Sequence, residues 1–225
     1  MKKIYLSGII CLLLIIAVVV VANVILHRDP FHFLKPNIEI EKTVVASDKD
    51  KDGITDPDDI LEGARMEIQN HPQYKSAYYA GGYPPETEGV CTDVIWRALK
   101  NAGYDLKSAL DKDISGNLKD YANSVTKPDP NIDFRRVKNQ HVFLKKFAQN
   151  LTMDVIPYNK DNLVQWQRGD IVVLPEHIAI ISDKRRKDGV PYIIHNAVTY
   201  PMEEDKLLKW ATEKKIIGHF RYYKD

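Results

Sequence analysis

Cysteine is nearly absent: the chain has two in 225 residues, Cys11 and Cys91, too few for the disulfide framework of a small secreted scaffold. Excess charge is missing as well. Lys and Arg total 32 against 31 Asp and Glu, a formal net charge of +1, so no general basic field invites nucleic acid as a partner. There is no internal repeat and no low-complexity tract. With 44% hydrophobic and 28% charged residues, a disordered or collagen-like chain is excluded too. What is left is a chain long enough for one globular domain with its own core, plus accessories.

One stretch lacks charge entirely. Residues 4–26 are mostly Ile, Leu, Val and Ala, and a helix of that length covers about 34 Å, enough for a hydrocarbon core of ~30 Å. Lys2 and Lys3 precede it, so the positive-inside rule predicts a cytoplasmic tail at 1–3, a transmembrane signal anchor at 4–26 and export of the rest. The run is longer than the apolar region of a cleaved signal peptide and lacks a small-residue cleavage site before His27. Cys11 is then a small apolar residue of that helix, and Cys91 is the lone thiol on the outside.

Residues 27–46, with Pro30 and Pro36, read as a linker, and 47–225 as the extracytoplasmic domain. Apolar spacing predicts helices over 60–69, 91–102 and 142–149, a loop over 78–89, and irregular chain over 111–136. The last third turns β-rich, with strands expected at 170–174, 177–181, 192–196 and 216–222 and a helix at 203–210. Helices first and a small antiparallel sheet afterwards make an α+β domain.

Cys91 opens a predicted helix, where unsatisfied N–H groups and the dipole favour an anion and are expected to lower the thiol pKa. A thiol that attacks a carbonyl needs an imidazole to take its proton and a third group to orient it. His177 begins one predicted strand and His195 closes the next, so a hairpin would bring both to one end of the sheet. On spacing alone, two unrelated sheet-edge histidines beside a buried cysteine explain the pattern as well. No role follows for His141 or His219. In 128–136, two Asp are followed by Arg135 and Arg136, which suits either a carboxylate-bearing ligand or a loop pinned by internal Asp–Arg pairs.

The wording of four blocks goes further. Tyr78-Tyr79-Ala80-Gly81-Gly82 with Gly89-Val90-Cys91-Thr92-Asp93, Arg168-Gly169-Asp170-Ile171-Val172, His177-Ile178-Ala179-Ile180 and Ile194-His195-Asn196-Ala197 resemble, in order, the blocks of NlpC/P60 cysteine peptidases. The match is closer to an exported bacterial family of unknown function, DUF1287, a distant relative of that superfamily. It adds Pro128-Asp129-Pro130-Asn131-Ile132-Asp133 with Arg135-Arg136. The resemblance implies a papain-like domain of NlpC/P60 type with Cys91 as nucleophile, His177 as base and His195 as orienter. Tyr78, Asp93, Arg135, Arg136 and Asn196 are the candidates for binding substrate. Val90 and Asp93 depart from the peptidase wording, which has Asp before the nucleophile and Gly two residues after it.

Residues 48–59 place carboxylates at positions 1, 3, 5, 9 and 12, Gly53 at 6 and an apolar residue at 7. Calcium loops are built this way, which makes Asp48, Asp50, Asp52, the Ile54 carbonyl, Asp56 and Asp59 candidate ligands of a structural Ca2+. A solvated acidic turn capping the next helix is the other reading. The expectation is a membrane-anchored cysteine hydrolase that cleaves an amide bond in cell-wall peptides and needs no catalytic cofactor. The alternatives are a thiol acyltransferase, or an inactive papain-like scaffold that binds wall or protein.

Overall fold

The computed structural model describes residues 2–27 and 35–223; residues 28–34, part of the expected linker, lie outside the described residues. The chain forms two units, residues 1–37 and 38–225. The first is built on α1 (Lys2–His27), so helix occupies the whole expected anchor. Side chains are described only for residues 9–22 of it, about 21 Å of helix. Among the described residues no helix is long and apolar enough to cross a membrane.

In the second unit the acidic loop runs into α2 (Asp56–Asn70), which has Pro57 in its first turn, where a missing N–H costs nothing. Asp56, Asp58 and Asp59 sit at its N-terminal end, where the helix dipole favours negative charge. The helix ends at His71 in the left-handed conformation, with φ 50°. Its Ile60, Leu61 and Ala64 are buried against α3 (Cys91–Asn101). The two helices cross at Gly63, where a Cβ would lie 2.7 Å from Asn101 Cβ and 2.9 Å from Ala98 Cα. Between them β1 (Gln73–Tyr74) pairs parallel with β2 (Glu88–Gly89).

Next come α4 (Leu106–Gly116) and α5 (Val137–Phe147). A six-stranded antiparallel sheet follows, made of β3 (Gln149–Asn150), β4 (Ile171–Leu174), β5 (His177–Arg185), β6 (Pro191–Asn196), β7 (Pro201–Glu204) and β8 (Gly218–Arg221). Its order is β3-β8-β4-β5-β6-β7. Side-chain alternation divides the core. Ile171, Val173, Ile178, Ile180, Ile194 and Phe220 pack with the helices. Val172, Leu174, Ala179, Ile181 and Ile193 pack on the other face with Trp166, Leu207 and Trp210. The fold class is therefore α+β with a small antiparallel sheet.

Two expectations are corrected. The irregular stretch from 111 begins inside α4, whose Leu106, Leu110 and Ile114 are buried and whose Asp105 caps it by accepting from the Ser108 N–H at 2.9 Å. The helix over 203–210 is instead an edge strand, Pro201–Glu204, paired with β6, before one helical turn, Leu207–Lys209, and a π-type turn, Trp210–Lys214. Pairing along an open sheet edge overrides the helical preference of Glu203 and Glu204.

Candidate active site

Cys91 is the first residue of α3. Asp93, two residues on, accepts the Val90 N–H at 2.8 Å and so caps the helix. The same carboxylate accepts from Trp96 Nε1 at 2.7 Å and takes a two-pronged contact from Arg135, Nε at 2.7 Å and Nη2 at 2.8 Å. Arg135 also donates to the Ala77 carbonyl and lies over the Tyr79 ring. Both ionic side chains are buried. Asp93 and Arg135, expected among the substrate contacts, are thus spent on each other and on the helix start. Arg136 pairs with Asp133 at 3.2 Å, and the exposed Tyr78 donates to Asp129 and accepts from Asn131. The segment 128–136 behaves as a loop pinned by one internal pair, Arg136 with Asp133, and by Arg135 bound to Asp93 on α3.

The histidines meet. The β5–β6 register pairs Ile180 with Ile194, which puts His177 diagonally opposite His195 on one face, with His177 Nε2 and His195 Nδ1 2.7 Å apart. Trp210 stands edge-on to both rings, centroids 5.3 and 5.2 Å away. His195 Nε2 faces Glu204 Oε2 at 4.0 Å. His177, His195, Glu176, Val198, Lys206 and Trp210 are among the residues that line a cleft of about 580 Å3. A larger cavity of about 970 Å3 is bounded by Tyr104, Asp113, Phe143 and Phe147, and Cys91 lines neither of the two.

The paired register of β5 and β6 ends at Ile180 and Ile194, and the start of α3 sits where it ends. Asn196 Nδ2 donates to the Gly89 carbonyl at 3.3 Å, and the backbone amide of Ile178, the residue after His177, acts to lower the Cys91 pKa. The thiol belongs to the helix-side core and the imidazoles to the Trp210 side. By strand alternation these are opposite faces of the sheet.

One electrostatic expectation fails. Cys91 is only 5% exposed, and burial pushes its thiol up to about 11. The amides of Ile178, Thr92 and Cys91 itself pull the other way, and Asp93 adds to the rise. Desolvation of the thiolate outweighs the helix start. Two neighbours had escaped the sequence. Exposed Tyr74 has its phenol pKa raised by burial of part of its ring and then by Cys91. It pairs with Gly89 and donates its N–H to the Thr199 carbonyl. A two-residue strand carries no periodic signal, and the ring contacts of Trp210 depend on β7 being a strand. His219 lies elsewhere, stacked on Trp166 and bonded with Arg221 to Asp170.

In the acidic loop, ligand oxygens of Asp48, Asp50 and Asp52 lie within 4.8 Å of one another. Asp56 departs from the expected set, since it accepts from Ser47 Oγ, the Lys49 N–H and the Tyr104 hydroxyl. Asp59 is buried, and burial followed by the charges of Asp52, Asp50, Glu62 and Asp48 pushes its pKa up to about 6.

The family model described as "Domain of unknown function (DUF1287)" matches residues 61–222, more than half of the chain. The chain belongs to the DUF1287 family. Cys91, His177 and His195 all fall inside the matched stretch, and the acidic loop precedes it. The chain is 33% identical over 172 residues to the "Uncharacterized protein YijF" of Escherichia coli (strain K12), covering 73% of this chain and 80% of that protein. No solved structure matches this DUF1287 chain.

Proposed function

We propose that this DUF1287 chain is a membrane-anchored cysteine hydrolase of papain-like, NlpC/P60 type that cleaves amide bonds in cell-wall peptides. The observation that carries the reading is the His177–His195 pair, 2.7 Å apart, at the strand end where Asn196 is bonded to the chain just before Cys91. In this reading His195 holds His177 through Nε2, so the thiol proton passes to His177 Nδ1. The thiolate attacks the scissile carbonyl, and the backbone N–H groups at the start of α3 stabilise the oxyanion. The imidazolium returns its proton to the leaving amine, and water resolves the thioester. Trp210 shields the imidazole pair from solvent.

A second reading, a binding module on an inactive scaffold, draws on the deep burial of Cys91. Release of amine from wall peptides by the purified full chain decides between them. A hydrolase loses all turnover in Cys91→Ala and about 10²–10⁴-fold in His177→Ala. Turnover that survives Cys91→Ala, or full biological activity of that variant without turnover in the wild type, sinks the hydrolase.

A further inference from the structure

Asp59 is the residue that the active site leaves unexplained. It is 2% exposed, and its Oδ2 is buried with no hydrogen-bond partner. A buried carboxylate oxygen left unmatched is costly and calls for a counter-charge. No base faces it. The charges of Asp52, Asp50, Glu62 and Asp48 act on it, and ligand oxygens of Asp48, Asp50 and Asp52 lie within 4.8 Å of one another, a group that Asp59 stands beside rather than in. Gly53, with φ 95° and open space around it, makes the turn that brings them together.

We propose that the loop 48–59 binds one Ca2+ through Asp48, Asp50, Asp52, the Ile54 carbonyl and the buried Asp59. Four carboxylates and a carbonyl form a hard oxygen set of the kind calcium takes with water completing the shell, and the flexible loop suits calcium's irregular geometry better than the strict octahedron of magnesium. Asp56 is excluded, because its oxygens are held by Ser47, Lys49 and Tyr104. The ion clamps the loop to the far end of the helix that carries Cys91. Asp50 abuts Gly103, where an added Cβ would come within 2.9 Å of the Asp50 Cβ, and Asn101 Nδ2 donates to the Asp59 carbonyl at 2.9 Å. The role is structural, and it holds whether or not Cys91 is catalytic.

The test is calorimetric titration of the EDTA-treated full chain with CaCl2 and, separately, MgCl2, alongside thermal melts. The expected result is one calcium site with Kd of about 10⁻⁴–10⁻³ M, and a Tm rise of roughly 5–10 °C at a hundredfold excess over Kd. Exposed Asp50→Asn weakens calcium at least tenfold without altering the melt in EDTA. Asp59→Asn abolishes the calcium response yet melts in EDTA no lower than the wild type, because it removes an uncompensated charge. No heat and no Tm change with calcium, or an equal response to magnesium, overturns the site. So does Asp59→Asn melting lower in EDTA, which would make Asp59 a structural acceptor.

Discussion

The two ends of α3 treat carboxylates in opposite ways. At the Cys91 end Asp93 is buried, and each of its oxygens is matched by two donors, from Val90, Trp96 and Arg135. At the Gly103 end Asp59 is equally buried, its pKa is raised by burial and by neighbouring carboxylates, and it keeps an orphan oxygen. A buried acid whose partners are supplied by the chain is a fixture of the fold. One whose partner the chain omits is a request for something from outside. The sequence calls both residues Asp near a helix terminus; only the surroundings separate anchor from ligand.

The largest expected effect breaks the first end. Arg135→Ala strands the Asp93 charge in the core and should cost about 3–5 kcal/mol, read by urea unfolding, and the double variant Asp93→Asn with Arg135→Ala should recover part of it. A loss below about 1 kcal/mol would mean that the pair is no anchor. Next is the thiol itself. With its pKa pushed up to about 11, Cys91 in the free chain should alkylate on the order of 10²-fold more slowly at pH 8 than an ordinary thiol of pKa ~8.5. Peptide-resolved mass spectrometry separates it from Cys11, and alkylation at the ordinary rate would contradict a buried, protonated resting thiol.

The smallest effect sharpens the second end. The folded pKa of Asp59 lies above its model value of 3.8, at about 6, so the folded state binds the proton more tightly. Stability from this carboxyl is therefore highest below pH ~4 and falls as pH rises through about 6. In EDTA, Asp59→Asn should match the wild type at pH 4 and exceed it by roughly 1–2 kcal/mol at pH 7.5. Calcium should erase that gap; a gap of the opposite sign contradicts the assignment.

Much of the fold was legible because α2, α3, β4, β5 and β6 each carry a periodic apolar pattern strong enough to stand alone. The diagonal meeting of His177 and His195 followed from strand lengths. What escaped depends on partners distant in sequence. β7 is a strand because an open edge of β6 lies beside it, Trp210 reaches the imidazoles only once that strand exists, and Tyr74 reaches the thiol through a two-residue pairing. The dipole argument at Cys91 was sound in sign and too small, since a sequence does not reveal how much core will close over a helix terminus. Arg135 and Asp93 were both singled out, but as ligand contacts, because their mutual distance was invisible.

The 2.7 Å bond between His177 and His195 has a direction, and the direction decides what the resting protein is. If the shared proton sits on His195 Nδ1, a neutral His177 keeps its own proton on Nδ1 and has no lone pair to offer the sulfur. If it sits on His177 Nε2, the Nδ1 lone pair is open and the ring is a base. Glu204 Oε2, 4.0 Å from His195 Nε2, is the carboxylate placed to favour a proton on that nitrogen, which is the arrangement of the latter tautomer. An edge strand that the sequence disguises as a helix thus sets a carboxylate beside the imidazole pair.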